Sequence, residues 1–201
     1  ILAALAHVKR EQFVPPACSG MAFMDMEIPL YGAPEDIERT GLCMLAPKIE
    51  ARMLQDLKIQ KHERVLEIGA GSGYMAALLA HRAHHVVTLE IVPELAEMAR
   101  ENLESAGVSN VTVRQADGAA PGTIAEGPFD VIVLSGSVAA VPQELLAQLR
   151  DGGRLGAITG QDPVMRATFV QRIGDRFVTT IPWDTNAARL VNFPEPASFK
   201  F

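Results

Sequence analysis

Compact apolar runs alternate along most of the chain with segments whose apolar residues recur at helical spacing. The runs are rich in Val, Ile and Leu, a composition typical of strands buried on both faces of a sheet. The pattern predicts strands at 64–68, 85–89, 110–114, 129–134 and 154–158, with two further short strands at 167–173 and 176–182. It predicts helices at 1–13, 47–57, 74–82, 93–106 and 142–149. Residues 15–42 hold scattered Pro and Gly and predict no regular element.

The alternation of strands and helices predicts an α/β fold. Right-handed crossovers between successive strands give a Rossmann-like, mostly parallel central sheet with helices on both faces. In such sheets ligands bind in the crevice beyond the carboxyl ends of the strands. We therefore expect the functional residues in the segments that follow each strand.

Composition and charge narrow the partners that we expect. The net charge of −6 gives no overall attraction for nucleic acid, and no apolar run approaches the roughly 20 residues that cross a membrane. Cys18 and Cys43 match no metal-ligand spacing, so we expect no metal site and two reduced thiols in a cytoplasmic protein. Residues 1–201 are expected to form one domain.

A glycine-rich segment follows the first strand of the alternating region. The residues are Glu67, Ile68, Gly69, Ala70, Gly71, Ser72 and Gly73. Their G-x-G-x-G spacing differs from the G-x-G-x-x-G of dinucleotide sites, and an acid two residues before the first glycine would repel a pyrophosphate. An acid there suits a cationic ligand, such as one with an ammonium and a sulfonium. A tight strand–helix turn without a ligand is the alternative.

Two more acids follow the next two strands. Glu90 ends the second strand about 20 residues beyond Gly69, where an acid accepts hydrogen bonds from ribose hydroxyls. Asp117 follows the third strand, where a carboxylate can accept the exocyclic amine of an adenine. We expect the neighbouring Ile91 and Gly118 to line the same site. Each acid could instead be an ordinary strand-end or turn residue.

Together these segments resemble the class I S-adenosylmethionine-dependent methyltransferases, and more narrowly the protein-L-isoaspartate O-methyltransferase family. The resemblance rests on Arg10–Pro15, Ile28–Leu30 and Arg64–Tyr74, with support from 129–134, the helix at Pro142 and Gly152–Leu155. It implies S-adenosyl-L-methionine as cofactor, methylation of isoaspartyl carboxylates in damaged proteins, and a peptide or protein substrate. It also implies a substrate-side segment at 1–60, a cofactor-binding core at 61–160 and C-terminal strands at 161–201.

The chain departs from the family pattern on the substrate side. The family carries a Thr-Ile-Ser-x-Pro-type motif before the glycine-loop strand, and here Leu45 stands in the place of its serine. The segment from Gly32 to Cys43 is longer than in the family, so a shift of register could give Thr40 the serine's role. The family's C-terminal Arg-Phe-Val-Pro-type segment is replaced by 181–185. The resemblance therefore leaves open an isoaspartyl methyltransferase, a relative that methylates another small acceptor, and a cofactor-binding protein with little turnover.

No residue is assigned as catalytic from the sequence. Methyl transfer to a carboxylate needs positioning more than acid–base chemistry. Asp25, Thr40 and Ser135 are expected near the site as structural polar residues.

Overall fold

The structure, a computed structural model, describes residues 1–31, 35 and 37–196, except for the side chains of 38 and 39. Two short strands form a small antiparallel sheet, and seven more form the main sheet of the described chain. In chain order the strands are β1 (Ile28–Pro29), β2 (Cys43–Met44), β3 (Arg64–Ile68), β4 (His85–Glu90), β5 (Val111–Gln115), β6 (Phe129–Val138), β7 (Leu149–Gln161), β8 (Val164–Ile173) and β9 (Arg176–Thr185). The main sheet has the order β5-β4-β3-β6-β7-β8-β9.

The described helices are short except for α3 and α5. They are α1 (Leu2–His7), α2 (Ile37–Thr40), α3 (Pro47–Leu57), α4 (Tyr74–Ala80), α5 (Pro93–Ser105) and α6 (Gln143–Leu146). Both α3 and α5 begin with a proline in the first turn, where its missing N–H costs no hydrogen bond. Two short 3-10 turns lie at Arg10–Gln12 and Pro16–Met21.

The main sheet is parallel from β5 to β7 and antiparallel at β8 and β9. Side chains alternate across its strands, so each inner strand contributes to two cores. On β3, Val65 packs with the core beneath α3, α4 and α5. Leu66 packs on the opposite face with α6 and with apolar residues of the 116–124 segment. The predicted Rossmann-like α/β fold with a mostly parallel sheet is confirmed, with one face covered by long helices and the other by α6 and irregular chain.

The N-terminal helix is shorter than predicted. Instead of running over 1–13, α1 ends at His7, because Val8 takes an extended conformation with φ −85° and ψ 106°. The chain then turns so that Arg10, only 6% exposed, reaches inward and donates through Nη2 to the Leu45 carbonyl at 3.0 Å. A continuous helix would not follow this turn.

The later elements also differ in length from the prediction. The predicted helix at 142–149 is reduced to α6, because the chain joins β7 at Leu149. The predicted turn at 151–153 is an irregularity inside β7, which pairs with β6 on both sides of it. Of the predicted segment from Gly32 to Cys43, residues 32–34 and 36 lie outside the described residues, as do residues 197–201 of the predicted C-terminal strands. The division into three functional segments stays a prediction.

Candidate active site

The glycine-rich segment forms the turn between β3 and α4. The N–H groups of Gly69 and Ala70 both donate to the Leu89 carbonyl, at 2.8 and 3.2 Å, which fastens the loop to the end of β4. Gly71 has φ 52°, and a Cβ there would lie 3.0 Å from Leu30 Cδ1. The turn therefore needs glycine both for its backbone conformation and for the close approach of a neighbouring side chain.

Beyond the ends of β3, β4 and β5 lies a cavity of about 80 Å³, which we call the main cavity. Seven of the predicted site residues line it: Ile68, Gly69, Gly71, Glu90, Ile91, Asp117 and Gly118. Ala70 and Ser72 instead line a smaller space of about 20 Å³, which we call the inner cavity. Neither space is lined by Glu67 or Gly73.

Glu90 lies between the glycine loop and the start of α5. Its Oε2 accepts a hydrogen bond from the Gly71 N–H at 2.8 Å, and its Oε1 accepts one from the Val92 N–H at 3.0 Å. The side chain is only 5% exposed. Burial raises the pKa of the Glu90 carboxyl, and backbone N–H donors partly offset that rise. Glu90 therefore links the glycine loop to the residues just before α5, and it lines the main cavity.

Asp117 also lines the main cavity. Its Oδ1 accepts a hydrogen bond from the Ala119 N–H at 2.9 Å, and its Oδ2 accepts one from Asn192 Nδ2 at 2.8 Å. The carboxylate thus already receives one side-chain amide donor. An adenine amine has the same donor chemistry as this amide, and the assignment of Asp117 to an adenine stays a prediction.

Glu67 is fully buried beneath the loop. Thr88 Oγ1 and Ser135 Oγ each donate to one of its oxygens at 2.7 Å. Burial raises the pKa of Glu67 to about 7, against the opposing effect of those two hydrogen bonds. Both oxygens are bonded within the protein, and the assignment of Glu67 to a cofactor stays a prediction.

The inner cavity has a buried carboxyl that the sequence analysis missed. Glu50 on α3 is 3% exposed, and its Oε2 has no hydrogen-bond partner. Burial raises the pKa of Glu50 to about 8, with the Arg10 guanidinium, 3.9 Å away, opposing the rise. Ser72 Oγ, on the same cavity, also has no partner. A signal was present, because Glu50 interrupts the buried stripe of α3 that contains Met53, Leu54 and Leu57.

Leu45, which stands in the place of the family's serine, and the polar residues expected near the site lie in different places. Leu45 is 7% exposed and borders the inner cavity. Thr40 borders the main cavity, and its Oγ1 accepts the Leu42 N–H at 3.2 Å. Asp25 Oδ1 accepts a hydrogen bond from the Lys48 N–H at 3.1 Å. Ser135 borders both the main cavity and the inner cavity. Which of these polar groups faces an acceptor stays a prediction.

A segment without regular structure crosses the main cavity and was also missed. We call residues 186–193 the strap. It is held against the end of β6, where the Ser137 N–H donates to the Ala188 carbonyl at 2.7 Å and the Leu190 N–H donates to the Ser137 carbonyl at 2.9 Å. The Leu190 side chain packs directly over Gly69, 2.9 Å from where a Cβ would stand. No periodic pattern in the sequence indicates the strap, because it is neither helix nor strand and each contact is made by one isolated residue.

A larger opening of about 970 Å³, which we call the outer cleft, adjoins the main cavity. The two share Thr40, Gly41, Arg189 and Val191 in their linings. The charged residues that line the outer cleft within the described part of the chain are Asp25, Glu27, Lys48, Asp162 and Arg189. A ligand in the main cavity and a second molecule in the outer cleft would therefore meet at the strap.

The fold and the site are those of a class I methyltransferase, with a glycine loop after β3, Glu90 at the end of β4 and Asp117 after β5. Residues 1–181 match the family model described as Protein-L-isoaspartate(D-aspartate) O-methyltransferase (PCMT). The chain therefore belongs to that family, and the predicted family, enzyme class and S-adenosylmethionine cofactor are confirmed with it.

Individual relatives agree with this assignment. A protein-L-isoaspartate O-methyltransferase of Methanoculleus marisnigri is 42% identical over 160 residues, which are 80% of this chain and 69% of the relative. A solved protein-L-isoaspartate O-methyltransferase superposes with a TM-score of 0.77 at 25% identity, over 94% of this chain and 60% of that one. A Plasmodium falciparum structure in complex with S-adenosyl-L-homocysteine shares the fold, with a TM-score of 0.75 at 18% identity over 93% and 88% of the two chains.

Two further properties concern residues 1–31, 35 and 37–196. These residues hold no helix long and apolar enough to span a membrane. Within residues 1–31, 35 and 37–196, no group of three or more His, Cys, Asp or Glu side chains is placed to hold a metal ion.

Proposed function

We propose that the main cavity binds S-adenosyl-L-methionine and that the outer cleft presents the carboxylate of an isoaspartyl residue to it. The supporting observation is the arrangement of the main cavity, where a tight glycine turn, Glu90 and Asp117 converge at the ends of three parallel strands. The ribose hydroxyls would donate to Glu90 and the adenine amine to Asp117. The amino-acid end would lie along Gly69 to Ser72.

The electrostatics of the glycine loop suit a cation. Glu50, Glu67 and Glu90 surround the loop, and burial raises the pKa of each carboxyl. A raised pKa means that the negative charge lacks stabilisation in the absence of a ligand. An ammonium and a sulfonium would supply that stabilisation, whereas a pyrophosphate would add repulsion.

The bound cofactor supplies a methyl group on a positively charged sulfur. The protein's task is then to hold an acceptor oxygen in line with that methyl group and to exclude water. The strap and its Leu190 side chain cover the main cavity next to Gly69, which serves the second requirement. No residue is needed to remove a proton, because an isoaspartyl carboxylate is already ionised near neutral pH.

We also propose that the chain is divided into a substrate side, a cofactor core and C-terminal strands. The proposed cofactor core at 61–160 contains the glycine loop, Glu90 and Asp117. The proposed substrate side at 1–60 contains Asp25 and Lys48. A cytoplasmic location is part of the proposal. Cys18 and Cys43 are both free thiols, as expected in a reducing compartment.

Leu45 favours a second candidate function, methylation of a different acceptor. The family's serine would offer a hydroxyl at this position, and the leucine side chain offers neither a donor nor an acceptor. A polar acceptor group buried against it would lose a partner, at a cost of about 1–3 kcal/mol. A less polar acceptor would not incur that cost.

The test is methyl transfer from S-adenosylmethionine labelled on its methyl group. A peptide with one isoaspartyl residue is compared with the same peptide carrying aspartate. We expect label in the isoaspartyl peptide only, released as methanol at alkaline pH because the product is an ester. Stable label, or equal label in both peptides, would favour the second candidate, and no label in any acceptor would contradict methyl transfer.

A further inference from the structure

Arg189 stands where the main cavity meets the outer cleft. It lines both spaces, and its backbone forms an isolated parallel bridge with Ser137 at the end of β6. The strap therefore fixes the backbone of Arg189 at the point where a methyl donor and its acceptor would come together.

The Arg189 guanidinium contacts acceptors through Nε and Nη2 and has no partner at Nη1. Nη2 donates to the Gly160 carbonyl at 2.9 Å, and Nε lies 3.0 Å from Glu195 Oε1. Nη1 is buried and has no hydrogen-bond partner. Nη1 and the second hydrogen of Nη2 form the end-on fork that matches the two oxygens of a carboxylate. A buried donor without a partner costs free energy, so this atom calls for an acceptor that the protein itself does not supply.

The surrounding charge makes Arg189 the cation available to an anionic acceptor. Among the described residues that line the two spaces, the cations are Arg189 and Lys48. Lys48 is 63% exposed at the rim and pairs with Asp25 at 3.5 Å. The acids are Asp25, Glu27, Glu90, Asp117 and Asp162. A carboxylate that enters this acidic surface needs a positive partner close to the point of reaction.

We propose that Arg189 binds the acceptor's carboxylate through Nη1 and so makes the enzyme specific for anionic acceptors. This inference rests on the proposed function. Arg189 would hold both carboxylate oxygens through this fork, and a remaining lone pair on one of them forms the bond to the methyl carbon. The carbon–sulfur bond breaks as that bond forms, and its electron pair stays on sulfur. The product ester is neutral, so Arg189 holds it less strongly than the substrate, which favours product release.

The test measures steady-state methylation of the isoaspartyl peptide by Arg189→Gln and Arg189→Lys. Arg166→Gln is the matched control, because Arg166 is a 60% exposed arginine on β8 that pairs with Asp184 at 3.6 Å. The dissociation constants of S-adenosylhomocysteine and methylthioadenosine, which lacks the amino-acid end, are measured with each variant. These ligands distinguish the acceptor's carboxylate from the carboxylate of the cofactor.

We expect Arg189→Gln to raise KM for the peptide about tenfold or more, with a smaller change in kcat. Arg189→Lys keeps the charge but not the fork and should raise KM by about threefold. The control should match the unmodified protein, and both cofactor analogues should bind unchanged.

An unchanged KM in Arg189→Gln overturns the inference alone. So does a loss of affinity for S-adenosylhomocysteine without loss for methylthioadenosine, since the carboxylate would then be the cofactor's. If Arg189→Gln does not fold, Arg189→Lys decides, and an unaltered KM there counts against the fork. An unmodified protein that methylates no acceptor overturns the proposed function and this inference together.

Discussion

Replacement of Glu90 by glutamine separates the two tasks that we give to this side chain. The carboxylate accepts the N–H groups of Gly71 and Val92 at 2.8 and 3.0 Å, and we propose that it also accepts the ribose hydroxyls of the cofactor. Glutamine has almost the same shape but only one acceptor oxygen. Its NH₂ group must therefore face one of the two backbone donors or a ribose hydroxyl.

The loss of a backbone hydrogen bond lowers the stability of the protein, whereas the loss of a ribose hydrogen bond lowers its affinity for the cofactor. A backbone N–H left unpaired in this buried place costs about 1–3 kcal/mol, which lowers the free energy of unfolding. A hydrogen bond from a ribose hydroxyl to a charged group contributes about 1.5–3 kcal/mol, and about 1.4 kcal/mol corresponds to a tenfold change in Kd. Glu90→Gln should therefore weaken binding of S-adenosylhomocysteine about tenfold or more.

The assay is calorimetric titration with S-adenosylhomocysteine and with its 2′-deoxy analogue. In the unmodified protein, loss of the 2′-hydroxyl should weaken binding about tenfold. In Glu90→Gln that difference should shrink to about threefold or less, since the partner of the hydroxyl is altered. Glu101→Gln, at an exposed position on α5, is the matched control. An undiminished 2′-hydroxyl effect in Glu90→Gln would refute contact with the ribose and leave Glu90 only its role in the loop.

The remaining predictions concern the substrate side and the stability of the fold. Leu45→Ser should raise isoaspartyl turnover about tenfold or more without changing the Kd of S-adenosylhomocysteine, and a collapse of turnover in Thr40→Ala would instead assign the polar role to Thr40. Glu63→Gln breaks a two-point pair with Arg154, at 2.6 and 2.9 Å, and should lower the free energy of unfolding in urea by about 2–3 kcal/mol at pH 7. Burial raises the pKa of Glu63, but hydrogen bonds from Arg154 and the Gln60 N–H outweigh it and leave the pKa below its ordinary value. The pair's contribution is therefore present above the ordinary carboxylate pKa and lost as the pH falls through the folded value, so the difference between the two proteins should vanish in acid. A difference that persists there would contradict this reasoning.

Much of the cofactor side could be predicted from the sequence because its signals are local. The strand at Arg64–Ile68 has the predicted bounds, and so does the helix at Pro47–Leu57, which precedes the proposed cofactor core. The run of apolar residues fixes the strand, and a proline in the first turn fixes the start of the helix. Glu90 ends β4 and Asp117 follows β5, and these strands are neighbours in the sheet, so the order of the strands predicts that both acids lie at one cavity.

The contacts of the proposed substrate side could not be predicted, because each joins two residues that are far apart in the chain and belongs to no repeating pattern. Arg189 is far in the chain from Thr40 and Gly41, yet all three border the junction of the two spaces. The end of α1 at His7 depends on Arg10 turning inward to the Leu45 carbonyl, a contact that spans 35 positions. Neither contact leaves a periodic pattern, and only packing reveals it.

The central claim is that the main cavity is the cofactor site of a methyltransferase. A crystal structure with S-adenosyl-L-homocysteine tests it most directly. We expect ribose hydroxyls within hydrogen-bond distance of Glu90, the adenine amine at Asp117 and the amino-acid end along Gly69 to Ser72. Density for the ligand in any other place, or in this cavity with the ribose away from Glu90, would contradict the account.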